Sequence, residues 1–157
     1  SVKKEKESLE TRLSQVSGAD GNNKLLTAVI KAANLYISND STGAAEAIAD
    51  VDVSSLPVEE AKTLYNTISG ATMMNAANDL YNRGMTAYNK ADYTTAADLL
   101  VRAYKCDKTK ADAVFYAAKS YVALNQPDNA KKYYQIIADE FKSSGYVTEA
   151  QAYVQSH

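Results

Sequence analysis

Histidine occurs once in this chain, as His157, and cysteine once, as Cys106. A single cysteine makes no intrachain disulfide and fills no CxxC-type metal or redox motif. A single terminal histidine leaves nothing from which to build a His triad, a His general base or a His-rich metal site. Tryptophan is absent, and only six glycines and two prolines interrupt 157 residues, which favours helices. The glycines, at 18, 21, 43, 70, 84 and 145, form no cluster ahead of Lys-Ser or Lys-Thr, so no phosphate-cradling loop is present. No apolar run reaches the roughly 18 residues of a transmembrane helix, and no signal peptide is visible. Neither sign of charge dominates: 17 Lys plus Arg stand against 19 Asp plus Glu, for a formal charge of −2. So balanced a chain has no global field for nucleic acid or an anionic membrane. What is present is 46% hydrophobic against 23% charged residues, a globular composition long enough to bury a core and suited to one domain. Twelve of the fourteen aromatic residues are tyrosine. The first residue is Ser rather than Met, which fits a segment of a longer protein, and His157 fits a tag remnant.

The chain repeats itself. Leu80, Tyr81, Gly84, Ala87, Tyr88, Ala96, Leu100 and Ala103 meet Val114, Phe115, Ala118, Tyr121, Val122, Ala130, Tyr134 and Ile137 after 34 residues. Each pair agrees in size or apolar character except Ala87 with Tyr121. Small residues at 84/118 and 96/130 allow two antiparallel helices of one repeat to approach closely, and larger side chains fill the gaps beside them. The turns agree with this division. Asn89-Lys90-Ala91-Asp92 ends one helix and Asp92 caps the next. Gln126-Pro127-Asp128 places Pro127 at a first helical position. Thr109 and Asp112 have capping-box spacing.

The period and its small-residue positions resemble the tetratricopeptide repeat, most clearly over residues 78–142. Leu80 and Val114 stand where that family has Trp, and Lys108 and Lys142 where it has Pro. The resemblance implies an all-α fold, a right-handed superhelix of antiparallel helix pairs. A further copy begins at Ala152, within the apolar stretch 146–154, and is read as a capping helix over 145–155. A divergent copy lies upstream. Ala33, Tyr36, Ala45 and Ala49 keep the internal spacing and Pro57 falls at the consensus Pro, giving helices at 24–38 and 43–52 with a turn at 39–43. From Ala45 to Ala96 is 51 residues, one and a half periods. An additional helix from Val58 to about Ser69 is therefore expected between the repeats. Gly70 either ends it or lets it run into the helix at 72–90, and the roughly 1 kcal/mol cost of a mid-helix glycine favours the break. The resulting division is a divergent repeat at 24–57, the added helix at 58–77, and repeats at 78–110 and 111–144.

Val2, Lys6, Leu9, Leu13 and Val16 are spaced as a short heptad seam in a charged segment, 1–17, which suits a solvated helix or the end of a stalk. Residues 18–23 read as a linker. The layout of charged segment, divergent repeat, single helix and clear repeats resembles bacterial membrane-anchored, extracytoplasmic tetratricopeptide proteins. The Leu-Tyr-Asn-Arg-Gly and Asp-Tyr-Thr-Thr-Ala stretches share in that likeness. It implies a cell-envelope location with an anchor outside this sequence, a cytoplasmic location being the alternative.

Chemistry-bearing motifs are scarce. Asp50-x-Asp52-x-Ser54 opens like a calcium loop, but its sixth residue is Ser55 and its twelfth Ala61, so it is rejected. Glu59-Glu60 are first-turn acids that complement a helix dipole after Pro57. Asp139-Glu140 reads as a solvated face, and Cys106 as a buried structural thiol. Tyr36, Tyr121, Tyr134 and Tyr153 are assigned to packing, Tyr93 to local packing, while Tyr104 and Tyr133 stay ambiguous. No enzyme activity, cofactor or metal is expected.

In the family resembled, first helices line a concave groove for extended segments. That implies groove positions at Asn78, Tyr81, Asn82, Met85, Tyr88 and Asn89, and at Asp112, Phe115, Tyr116, Lys119, Val122 and Ala123. Amides suit a peptide backbone because they donate and accept, and aromatics supply area at low entropy cost. Tyr81 and Phe115 are equally readable as packing residues, whereas Asn82, Met85, Tyr116 and Lys119 are read as groove-exposed. Tyr81, Met85 and Tyr116 occupy places that a carboxylate clamp fills with Lys and Asn, which argues against such a clamp. The expected function is a non-enzymatic module that binds a protein or peptide segment. The alternative is an assembly element that self-associates through the N-terminal heptads or the ends of the solenoid.

Overall fold

The structure, a computed structural model, describes residues 1–15 and 20–157, apart from the side chains of 13–15 and 20–23. The described residues form eight α-helices and no strand. They fall into two compact units, Ser1–Ala76 and Ala77–His157, where the composition suggested one domain.

The first unit contains α1 (Val2–Gln15), α2 (Asp20–Ile37), α3 (Ser41–Ile48) and the first part of α4 (Glu59–Asn89). Residues 20–23, read as linker, are the first turn of α2; Gly18 and Ala19 lie outside the described residues. The segment read as a solvated stalk is a packed helix. Leu9 is fully buried with Leu26, Val29, Ile48, Leu64 and Ile68, and Val2 packs against the same core. Leu9 can be buried in so charged a segment because Lys3, Lys4 and Glu7 stay exposed on the far side of α1, while Glu5 and Lys6, nearer to it, are only half-buried. Arg12 adds an exposed ion pair to Glu60 of α4 at 2.7 Å. Leu13 and Val16, the remaining seam positions, lie outside the described side chains.

Asp40 caps α3 by accepting from the Gly43 amide at 2.8 Å. The helix expected to reach 52 stops at Ile48, because Asp52 binds Ser54 and Ser55 and starts a single 3-10 turn, Val53–Ser55. The break favoured at Gly70 does not occur, and α4 continues to Asn89. A methyl at Gly70 would meet nothing within 4 Å, so the glycine penalty is absorbed by a helix packed along its length rather than relieved by a turn. The added helix and the first helix of the 78–110 repeat are thus one element.

In the second unit, the last part of α4 is followed by α5 (Tyr93–Cys106), α6 (Ala111–Ala123), α7 (Pro127–Glu140) and α8 (Val147–Ser156). α5 packs on α6, α6 on α7 and α7 on α8. Their short connections fold each helix back on the one before. With a helix on either side, α6 buries Ala113, Val114, Phe115, Ala117, Ala118 and Ser120. The Ser120 hydroxyl donates to the Tyr116 carbonyl at 2.7 Å, which satisfies it inside.

The turns follow one rule. Asn39, Ala91 and Asn125 take positive φ, and the next amides donate back to Leu35, Ala87 and Tyr121 carbonyls at 2.9–3.0 Å. This is the Schellman helix stop, and two of its copies are 34 residues apart. Asp92 caps α5 through the Thr95 amide, and Pro127 opens α7, both as expected. The capping box at Thr109 and Asp112 does not form. Thr109 turns instead to Asp107, at 2.6 Å from its hydroxyl, and Asp112 is left to another partner.

Gly84 is buried against Leu100 of α5, with Ala96 fully buried on the same helix. In α8 the buried small residue is Ala150, whereas Ala152 is exposed. Tyr134, Tyr104 and Cys106 are buried; Tyr36, Tyr121, Tyr133 and Tyr153 are half-buried.

Candidate functional site

At 100° per residue, Asn78, Asn82 and Asn89 fall within about 40° of one another around α4, with Met85 at the edge of that arc and Tyr81 and Tyr88 farther round on the same side. The three amides are exposed, and among the described residues their side chains hydrogen-bond to nothing. Tyr81, Met85 and Tyr88 are half-buried. α6 contributes Asp112, exposed, Tyr116 and Lys119, half-buried, and Phe115, buried; Val122 and Ala123 are exposed at its end.

The aromatic residues of these helices form one cluster. Tyr116 meets Tyr88 edge-on with ring centres 5.1 Å apart, and Tyr88 meets Tyr93 in the same way at 5.5 Å. Phe115 touches Tyr116, and Tyr146 stacks on it at 4.1 Å. Phe115 is therefore a packing residue. Tyr116 and Lys119, read as groove-exposed, are partly engaged: Lys119 lies over the Phe115 ring at 5.3 Å and reaches Glu149 at 3.3 Å. Tyr134, from below, donates to the same Glu149 carboxylate at 3.0 Å. Asp112 accepts from the Tyr146 hydroxyl at 2.8 Å.

Tyr146 and Glu149 are the residues that sequence reasoning missed. The signal was available: one further period from Asp112 and Phe115 reaches them. It was obscured because Glu149 shares no size or polarity with Phe115. Glu140, read as a solvated face, likewise has a task, accepting from the Tyr104 hydroxyl at 3.0 Å.

These bonds set the acidities. The hydrogen bond to Asp112, then partial burial, pushes Tyr146 up to about 12. Burial, then the bond to Glu140, pushes Tyr104 up to about 12, and the same two causes raise Tyr134 with Glu149 as acceptor. For Asp107, partial burial raises the carboxyl, but Thr109 and Lys110 outweigh it and hold it below the usual value. The tyrosines keep their protons more tightly folded than unfolded. Their contribution to stability is whole below the unfolded value of 10.0 and disappears as pH rises toward about 12. We expect stability to fall between those limits, measured by chemical denaturation at each pH. Tyr146→Phe should make the pH dependence shallower, and an unchanged slope would rule out the Asp112 bond as its source.

Two cavities flank α6. One of about 340 Å³ is lined by Tyr81, Asp107, Thr109, Lys110, Ala111 and Asp112. The other, of about 410 Å³, involves Val122, Pro127, Tyr153 and His157. Among the described residues no three His, Cys, Asp or Glu side chains are grouped to hold a metal ion, and no helix is long and apolar enough to cross a membrane. Compared with protein-family models, with characterised proteins and with solved structures, the chain matches none.

Proposed function

We propose that this chain is a non-enzymatic interaction module, a tetratricopeptide-type solenoid that holds a protein or peptide segment along its first helices. The observation that carries the reading is the row of exposed amides on α4 beside half-buried aromatics. Amides that bond nothing in the protein are available to a peptide backbone, and fixed rings lose little entropy when covered. The 34-residue spacing of two identical helix stops and the seating of Gly84 against α5 support the repeat architecture. The self-association alternative draws on Val2 and Leu9, which already pack within the first unit. Placement at the cell envelope rests on segment order alone, with α1 packed rather than standing free, and fractionation of cells making the full gene product tests it.

Because Tyr116 also packs, the cleaner test removes the amides. Asn78→Ala/Asn82→Ala/Asn89→Ala should leave the melting temperature within a few degrees. It should weaken capture of a partner from a cell-envelope extract by about tenfold or more, given roughly 1 kcal/mol per lost hydrogen bond. Undiminished capture by the triple variant would remove the groove assignment.

A further inference from the structure

The cavity at the start of α6 has a charge pattern of its own. Asp112 is exposed, and its carboxylate accepts only the Tyr146 hydroxyl; no described cation lies within ion-pairing distance. Tyr81 lines the cavity, and Asp112 acts on the hydroxyls of both Tyr81 and Tyr146. Asp107 adds a second carboxylate at the wall. Aromatic faces with a carboxylate attract cations. The protein already does this internally, with the Lys110 ammonium 5.3 Å from the Tyr81 ring centre.

We propose that the cavity beside Tyr81 and Asp112 takes the guanidinium of an arginine carried by the bound partner segment, with Lys110 as the internal cation that it displaces. Guanidinium fits better than ammonium. It is planar, stacks on a tyrosine, is weakly hydrated, and offers a fork of donors to Asp112 and Asp107 together. Lys110 stands on a flexible stem and can swing to solvent when the ring is covered. The inference rests on the groove reading for its biological meaning. The cavity itself is tested without any partner.

The probe is N-acetyl-arginine methylamide, followed by nuclear magnetic resonance titration of the whole chain, with the matching citrulline and lysine compounds as controls. Saturable shifts are expected at Tyr81, Asp112 and Tyr146. Citrulline, which keeps the shape and loses the charge, should bind about tenfold more weakly, and lysine several-fold more weakly. Asp112→Asn preserves an acceptor for Tyr146 and should lose the arginine response. Lys110→Gln should strengthen it, a gain that a purely structural lysine does not produce. Equal shifts from arginine and citrulline, tighter binding of lysine, no saturation, or weakening by Lys110→Gln would each overturn the proposal. The triple amide variant should titrate with arginine like the wild type. Partner loss in that variant, with arginine and citrulline equivalent, defeats the cavity and spares the groove. Retained partner capture with a selective arginine response does the reverse.

Discussion

Gly84→Leu should destabilise the second unit by about 3 kcal/mol or more, the upper end of overpacking costs. A side-chain carbon on Gly84 would lie 2.8 Å from Leu100 Cγ and 2.9 Å from Cδ2, with the Leu100 backbone nitrogen at 3.3 Å. Cγ is not a free end that swings aside, and Leu100 is itself fully buried, so the helices must part. Even Gly84→Ala should cost about 1 kcal/mol net, its better helix propensity recovering only part of the clash. The companion substitution separates packing from propensity. Gly70→Ala has open space around it and should stabilise by up to about 1 kcal/mol. For a unit of this size each kilocalorie shifts the melting midpoint by roughly 4–8 °C. Calorimetry should therefore show a fall of more than about 10 °C for Gly84→Leu and a small rise for Gly70→Ala. A Gly84→Leu protein melting like the wild type would refute the close approach of α4 and α5.

Leu9→Ala should cost about 2–5 kcal/mol in the first unit. The side chain is fully buried among leucines, isoleucines and valines of α2, α3 and α4, so truncation leaves a cavity as well as losing transfer energy. A free stalk predicts no loss at all. Exposed Lys3→Ala, on the same helix, should change stability by no more than about 0.5 kcal/mol. Chemical denaturation of the two variants decides between a packed and a free α1, and equal midpoints would restore the stalk.

Much of the second unit was legible because its signals are local. Asp92 as a cap, Pro127 as a first helical residue and the stop after Asn89 each depend on a few neighbouring residues and on backbone geometry. Gly84 was found by comparison with Ala118, since the need for a small residue recurs with the repeat. Asn78, Asn82 and Asn89 share a helix face by spacing alone. The errors arose where composition or spacing was overridden, by packing or by a competing side chain. Gly70 was read by its intrinsic cost, yet tertiary packing holds α4 through it. Residues 20–23 carry loop composition but extend α2. Thr109 and Asp112 had the spacing of a cap, but Asp107 binds Thr109 and Tyr146 takes Asp112 from across the unit.

The helical class, the 34-residue repeat, its small contacts and its helix stops are all legible along the chain, and the resemblance adds the amides of α4. Periodicity and capping are properties of neighbours along the chain, so they can be read without a fold. Packing in three dimensions is what makes α1 part of a core, keeps α4 unbroken, and brings Tyr146 and Glu149 to the cluster on α6. Those outcomes turn on which apolar surface lies opposite and on carboxylates more than one turn away. Local pattern encodes neither the burial of α1 nor the continuity of α4, and the 34-residue period that reaches Tyr146 and Glu149 does not name their partners.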